Sequence, residues 1–195
     1  MVFHEIVSQT VHLDVHMVPP SAEHDLHRLV TSGMAQRPMV VPEDFGASPF
    51  AELTLALPSS WPMSQESFED EGAYWPLRLL KVLGRLPHEY GTFLWHGHTI
   101  PNGDPAEPYA GSTELCCALI VPPLIAPPEF DVIETTDGRK VTVLGVLPIY
   151  EAEMQFKLER GLDALLTLFE EHEVGDLIEP NRPSVVPRKR GLFRR

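Results

Sequence analysis

The chain has 195 residues, 43% of them hydrophobic, which is enough for one sizeable core and makes one compact domain the default. Its formal net charge is −13, but five of the 15 basic side chains sit in RKRGLFRR at residues 188–195, leaving 10 basic against 28 acidic residues before that tail. A body carrying about −18 repels nucleic-acid phosphates and fits a basic protein partner better; the competing readings are that the charge merely maintains solubility and that the basic tail 188–195 tethers the protein to nucleic acid or membrane.

The opening MVFHEIVSQTVHLDVHMVPP lacks a basic region followed by a long apolar run. No other window offers about 18 uninterrupted apolar residues, so neither a standard signal peptide nor a membrane span is expected, and the expected location is cytoplasmic. TVHLDVHMV alternates Val11, Leu13, Val15 and Met17 with His12, Asp14 and His16, the period-2 pattern of a half-buried strand. His12 and His16 share its polar face, but on a strand they stand roughly 13 Å apart, too far to ligate one ion. RLVTSG and AELTLALP predict two more strands, separated by a loop around Pro38, Pro42 and Pro49.

The acidic stretch SQESFEDEGAYWP then leads into a helix carried by Trp75, Leu79, Leu80, Val82, Leu83 and Leu86, with Pro76 in its first turn and Pro87 at its exit. Its carboxylates Glu66, Glu69, Asp70 and Glu71 read as a solvated face rather than an acid/base site. TFLWHGHTI and TELCCALIVPPL have strand composition and are joined by a loop from Pro101 to Gly111. FDVIETTDGRKVTVLGVLPIY predicts a hairpin turning at Asp137-Gly138. Met154, Leu158, Leu162, Leu165, Leu166 and Phe169 form one apolar stripe and predict a second amphipathic helix. Strands, helix, strands and helix without regular alternation indicate an α+β fold, a mixed, largely antiparallel sheet packed against helices. The tail from 181 to 195 loses periodicity and reads as basic and disordered.

The chemistry turns on FLWHGHTIPNG. As a strand, residues 93–100 place His96 and His98 on one face, close enough to share a zinc ion. A catalytic zinc needs a third protein ligand, for which Asp104, Glu107, Glu114 and Cys116 are candidates, yet none falls in a recognisable spacing. The competing reading has both imidazoles bracing a turn at TIPNGDP, with Pro101 and Gly103 at turn positions. No nucleophile elbow, phosphate loop or dinucleotide fingerprint occurs. The adjacent Cys116 and Cys117 would point to opposite faces of a strand, as buried thiols without a disulfide.

LVTSGM, AELTLALP, YWPLRLLKVLGRLPHEYGTF, HGHTIPNGDP, LIVPPL and LPIYEAEM, in this order, resemble bacterial single-domain members of the Suppressor of fused (SUFU-like) domain family. The resemblance spans roughly residues 24 to 180 and implies one SUFU-like domain over residues 1–180. It implies protein binding without catalysis or cofactor. The animal member resembles a regulator that sequesters a transcription factor by gripping an extended peptide, and many bacterial members resemble immunity proteins of polymorphic toxin systems. The chain lacks room for the animal form's second domain, so its two-domain clamp does not carry over. His96, His98, Thr99, Pro101, Asn102, Gly103 and Asp104 then form a rigid loop that is the candidate binding surface. The expected function is to bind and sequester or neutralise a basic protein partner; the alternative is a zinc-dependent hydrolase using His96 and His98.

Overall fold

A computed structural model of the protein describes residues 1–4 and 11–186. The first residue of the expected opening strand, Thr10, and the basic segment 188–195 lie outside the described residues. The strands are β1 (Val2–Phe3), β2 (Asp14–Val18), β3 (Leu26–Ser32), β4 (Ala51–Pro58), β5 (Thr99–Pro101), β6 (Cys117–Val121), β7 (Val132–Glu134) and β8 (Lys140–Ile149). They form one sheet in the order β1-β2-β3-β4-β8-β6-β5, with β7 paired to the start of β8. Among the described strand pairs only β4 with β8 is parallel. The helices are α1 (Glu71–Tyr90), α2 (Glu151–Arg160) and α3 (Leu162–Glu171), so the fold is the α+β arrangement expected from element order.

The alternation in AELTLALP explains the centre of the sheet. Leu53, Leu55 and Leu57 enter a core with Leu13, Val15 and Leu29 and with Trp75, Leu77, Leu80 and Leu83 of α1. Each such side chain contributes about 1.5–3 kcal/mol on burial. Glu52, Thr54 and Ala56, on the opposite face of β4, are buried as well, because this strand is central and covered on both sides. Further along the sheet, Ala118, Ile120, Leu144 and Val146 join the α1 core. Cys117, Leu119, Val121, Leu147 and Ile149 face the other way, against Met154, Leu165 and Phe169 of α2 and α3. The two faces of β6 and β8 thus have separate helical covers.

Buried Glu52 organises the end of β3. Its Oε2 accepts from Thr31 Oγ1 at 2.6 Å, and its Oε1 accepts from the Gly33 and Ala35 amides at 2.9 and 3.0 Å. Gly33 has φ +115°, and a Cβ there would collide with the His12 carbonyl oxygen, so the turn after TS requires glycine. Burial raises the Glu52 carboxyl above its ordinary value, against the lowering effect of these donors.

Three local expectations change. The first helix starts at Glu71 and runs through both prolines to Tyr90, because Asp70 caps it by accepting from the Gly72 amide at 2.9 Å and a fully buried apolar face outweighs the missing proline N–H groups. The single stripe from Met154 to Phe169 is two helices broken at Gly161, whose φ of 92° and ψ of 165° leave the helical region. Leu158 and Leu166 are consequently exposed, whereas Met154, Leu165 and Phe169 are buried. The two cysteines do not point apart: Cys116 precedes β6, and the sulfur atoms lie 3.9 Å from each other, both buried. The hydrogen bond between them holds the Cys116 thiol below its ordinary value and, with burial, pushes the Cys117 thiol up.

Candidate functional site

β8 delivers the chain into α2 through Tyr150, and this junction builds one side of a broad recess. The Tyr150 amide donates to Glu153 Oε2 at 3.0 Å, the reach-back of a capping-box glutamate three residues into a helix. Glu153 is 0% exposed and also receives both guanidinium nitrogens of Arg182 at 2.7 Å each and the Val185 amide at 3.0 Å. The Tyr150 hydroxyl donates to the Arg182 carbonyl, and the Arg182 guanidinium lies over the Tyr150 and Phe169 rings at 5.1 and 5.5 Å. Thr113 Oγ1 donates to the Pro180 carbonyl at 2.6 Å. Residues 180–186 are thereby strapped across the protein beside α2, and the segment expected to leave the fold at 181 stays packed through Val186, because Arg182 supplies the cation that pairs with the buried Glu153 carboxylate.

Between α2, this strap and the loop 106–116 lies a cleft of about 1120 Å³. Pro108, Phe156 and Val186 give it apolar wall, and Glu114, Glu151 and Glu159 give it exposed carboxylates. Glu153 and Arg182 neutralise each other beneath it. The opposite wall is held rigidly: Tyr109 is buried and stacks on Trp75 at 5.2 Å, and its carbonyl accepts from Arg78 Nη2 at 2.6 Å.

The sequence-predicted loop is placed differently from expectation. Residues 93–98 are not a strand. Gly97, at φ 86°, makes a turn closed by the His98 amide donating to the Trp95 carbonyl at 3.0 Å, and β5 begins only at Thr99. The turn removes the alternation that would have put His96 and His98 on one face. His96 stacks on Trp95 at 4.8 Å, while His98 packs edge-on against Phe93 at 5.0 Å and near Phe45. Burial lowers the pKa of both imidazoles. Among the described residues, neither joins a three-residue His, Cys, Asp or Glu group able to hold a metal, including Asp104, Glu107, Glu114 and Cys116.

Pro101 ends β5 rather than starting a turn, and Asn102 ties the loop instead. Its amide donates to the Cys116 carbonyl at 2.8 Å, its carbonyl accepts from the Glu107 amide at 2.8 Å, and its Nδ2 donates to the Glu107 carbonyl at 2.8 Å. Gly103 takes φ 97°, and Asp104 is exposed. The loop meets the cleft through Ala106 and Pro108, beyond the residues picked from sequence. Of the acidic run, Asp70 caps α1 and Glu71 pairs with Arg78. Glu153 and Arg182 were missed; the only local signal was the helix-start pattern of Tyr150 and Glu153, since nothing near Arg182 announces its partner.

A family model described as Suppressor of fused protein (SUFU) matches residues 9–183. No curated protein matches the chain. A suppressor of fused homologue from Neisseria gonorrhoeae has the same fold, with a TM-score of 0.69 at 20% identity over 96% of this chain and 88% of that one. The Sufu–Fu complex matches with a TM-score of 0.58 at 15% identity over 89% and 77% of the two chains. Drosophila Suppressor of Fused matches with a TM-score of 0.59 at 16% identity, over 91% of this chain but 44% of its own length. With a family model covering most of its residues and its sheet shared with these structures, the chain belongs to the Suppressor of fused family.

Proposed function

We propose that the protein is a non-enzymatic interaction domain that sequesters a protein partner by gripping a basic, extended segment of it in the cleft between α2 and the 180–186 strap. The observation that carries this reading is the cleft itself, apolar along Pro108, Phe156 and Val186 and lined by Glu114, Glu151 and Glu159. An extended chain presents alternate side chains to such a groove, and lysine or arginine among them meets the carboxylates. A net charge of −13 steers a basic partner toward the protein. A related structure is a complex of Sufu with Fu, which supports protein binding as the use of this fold.

The role that fits best is an immunity protein that neutralises a basic toxin in the cytoplasm by occlusion. No helix among the described residues is long and apolar enough to cross a membrane. The binding unit extends through Val186, because Arg182, Ser184 and Val186 wall the cleft, with the basic residues 188–195 as a tail beyond it.

The test is to recover the partner from the source cells, identify and purify it, and measure its affinity for the native protein and for the Glu151→Lys/Glu159→Lys double variant. A basic partner whose affinity falls about tenfold or more in the variant supports the reading. An affinity that the variant and added salt leave unchanged overturns it.

A further inference from the structure

The edge of the sheet farthest in strand order from the cleft gathers a second set of chemically capable side chains. β1 pairs antiparallel with β2, Val2 opposite His16 and Phe3 opposite Val15. One step further along this register, His4 meets Asp14. His12 precedes Asp14 by two residues in the alternating segment and turns to the same side. As a result His4 Nδ1 is 3.1 Å and His12 Nε2 is 3.3 Å from the same carboxylate oxygen, Asp14 Oδ1. One ligand atom from each residue lies within 4.8 Å of the other two.

Two of these spacings match the edges of a coordination polyhedron. Ligand atoms about 2.0–2.1 Å from a tetrahedral zinc ion stand about 3.3–3.4 Å apart along each edge. Two of the three protein edges are therefore already set, and closing the third needs only rotation of histidine side chains that are 68% and 56% exposed. Asp14, by contrast, is 19% exposed and held in the β2–β3 ladder opposite Ser32, so it is the fixed point of the set. His16 is engaged elsewhere, its Nε2 being 2.7 Å from Ser32 Oγ.

We propose that His4, His12 and Asp14 form a binding site for a divalent first-row cation of the zinc class. Two imidazoles and one carboxylate suit Zn²⁺, Co²⁺ or Ni²⁺, whereas Ca²⁺ and Mg²⁺ require mainly oxygen ligands. Water completes the coordination on the exposed side. The ion cross-links the two-residue strand β1 to β2, so its effect is to secure the first strand against the edge of the sheet. Ligands drawn from the residue after β1, the approach to β2 and the first residue of β2 make this site independent of the cleft and of His96 and His98.

The experiment uses the untagged full chain, stripped with EDTA and titrated with Zn²⁺ by calorimetry and with Co²⁺ by visible absorption. The expected result is about one ion per chain, a Co²⁺ spectrum without a thiolate charge-transfer band, and a higher melting temperature with Zn²⁺. His12→Ala and Asp14→Asn each weaken binding by about tenfold or more and abolish the melting shift. Circular dichroism of the metal-free variants establishes that they fold. His96→Ala/His98→Ala keeps native metal binding. No uptake, a thiolate band, or binding that survives in both His12→Ala and Asp14→Asn overturns the proposal.

Discussion

Glu153 and Arg182 are 29 residues apart in sequence and joined by two parallel bonds of 2.7 Å, with the carboxylate wholly removed from solvent. The pair locks the strap 180–186 onto α2, and that strap is one wall of the cleft. Truncating one partner leaves a buried charge uncompensated, which costs about 3–5 kcal/mol. Arg182→Ala and Glu153→Ala should each lower the urea midpoint by that equivalent. The double variant should lose much less than the sum of the two, because the second truncation removes the charge that the first one stranded.

Gly33→Ala is predicted to destabilise the protein strongly. Its φ of +115° costs about 1–3 kcal/mol for a residue with a Cβ, and the collision with the His12 carbonyl adds to that. Gly46 also has a positive φ, 74°, but nothing lies near its absent Cβ. Gly46→Ala should therefore cost only about 1–2 kcal/mol. Chemical denaturation of the two variants side by side separates strain from collision.

Glu52 gives stability a pH dependence. Burial raises its folded-state value above the ordinary 4.5. Below that ordinary value both folded and unfolded chains hold the proton, and the contribution is fully present. It is lost as pH rises through the raised folded value, because the unfolded chain ionises first. Urea midpoints measured upward from pH 4.5 should show this downward component in the native protein, and Glu52→Gln should lack it.

Salt and charge should act together at the cleft. Association with a basic partner is expected to slow as ionic strength rises, and Glu151→Lys/Glu159→Lys should reduce the rate by about tenfold while flattening its salt dependence. Both side chains are exposed, and the cost to stability should be small, about 1 kcal/mol from placing a cation in the first turn of α2. Stopped-flow association at two salt concentrations measures both effects.

Much of the fold is legible in local pattern. AELTLALP coincides with β4, the Asp137-Gly138 turn joins β7 to β8, and the alternation through Val11, Leu13 and Val15 correctly names residues that the core buries. These signals survive because period and turn chemistry are properties of neighbouring residues. The misreadings come from tertiary burial in one case and from glycine conformation in two. Two prolines in α1 look like boundaries, and the stripe from Met154 to Phe169 looks continuous, until tertiary burial sustains the first helix and Gly161 divides the second. His96 and His98 look paired until Gly97 turns the chain between them.

What the sequence determined by itself was most of the strands and the first helix, the α+β class, the acidic character and the family resemblance. Only the tertiary structure decided the parallel pairing of β4 with β8, the meeting of Glu153 with Arg182, and the approach of His4 to Asp14. The first two depend on closing long loops, and the free energy that closes them comes from a core assembled by the whole chain; the third spans only ten residues but depends on the register in which β1 pairs with β2, which residue pattern alone does not set.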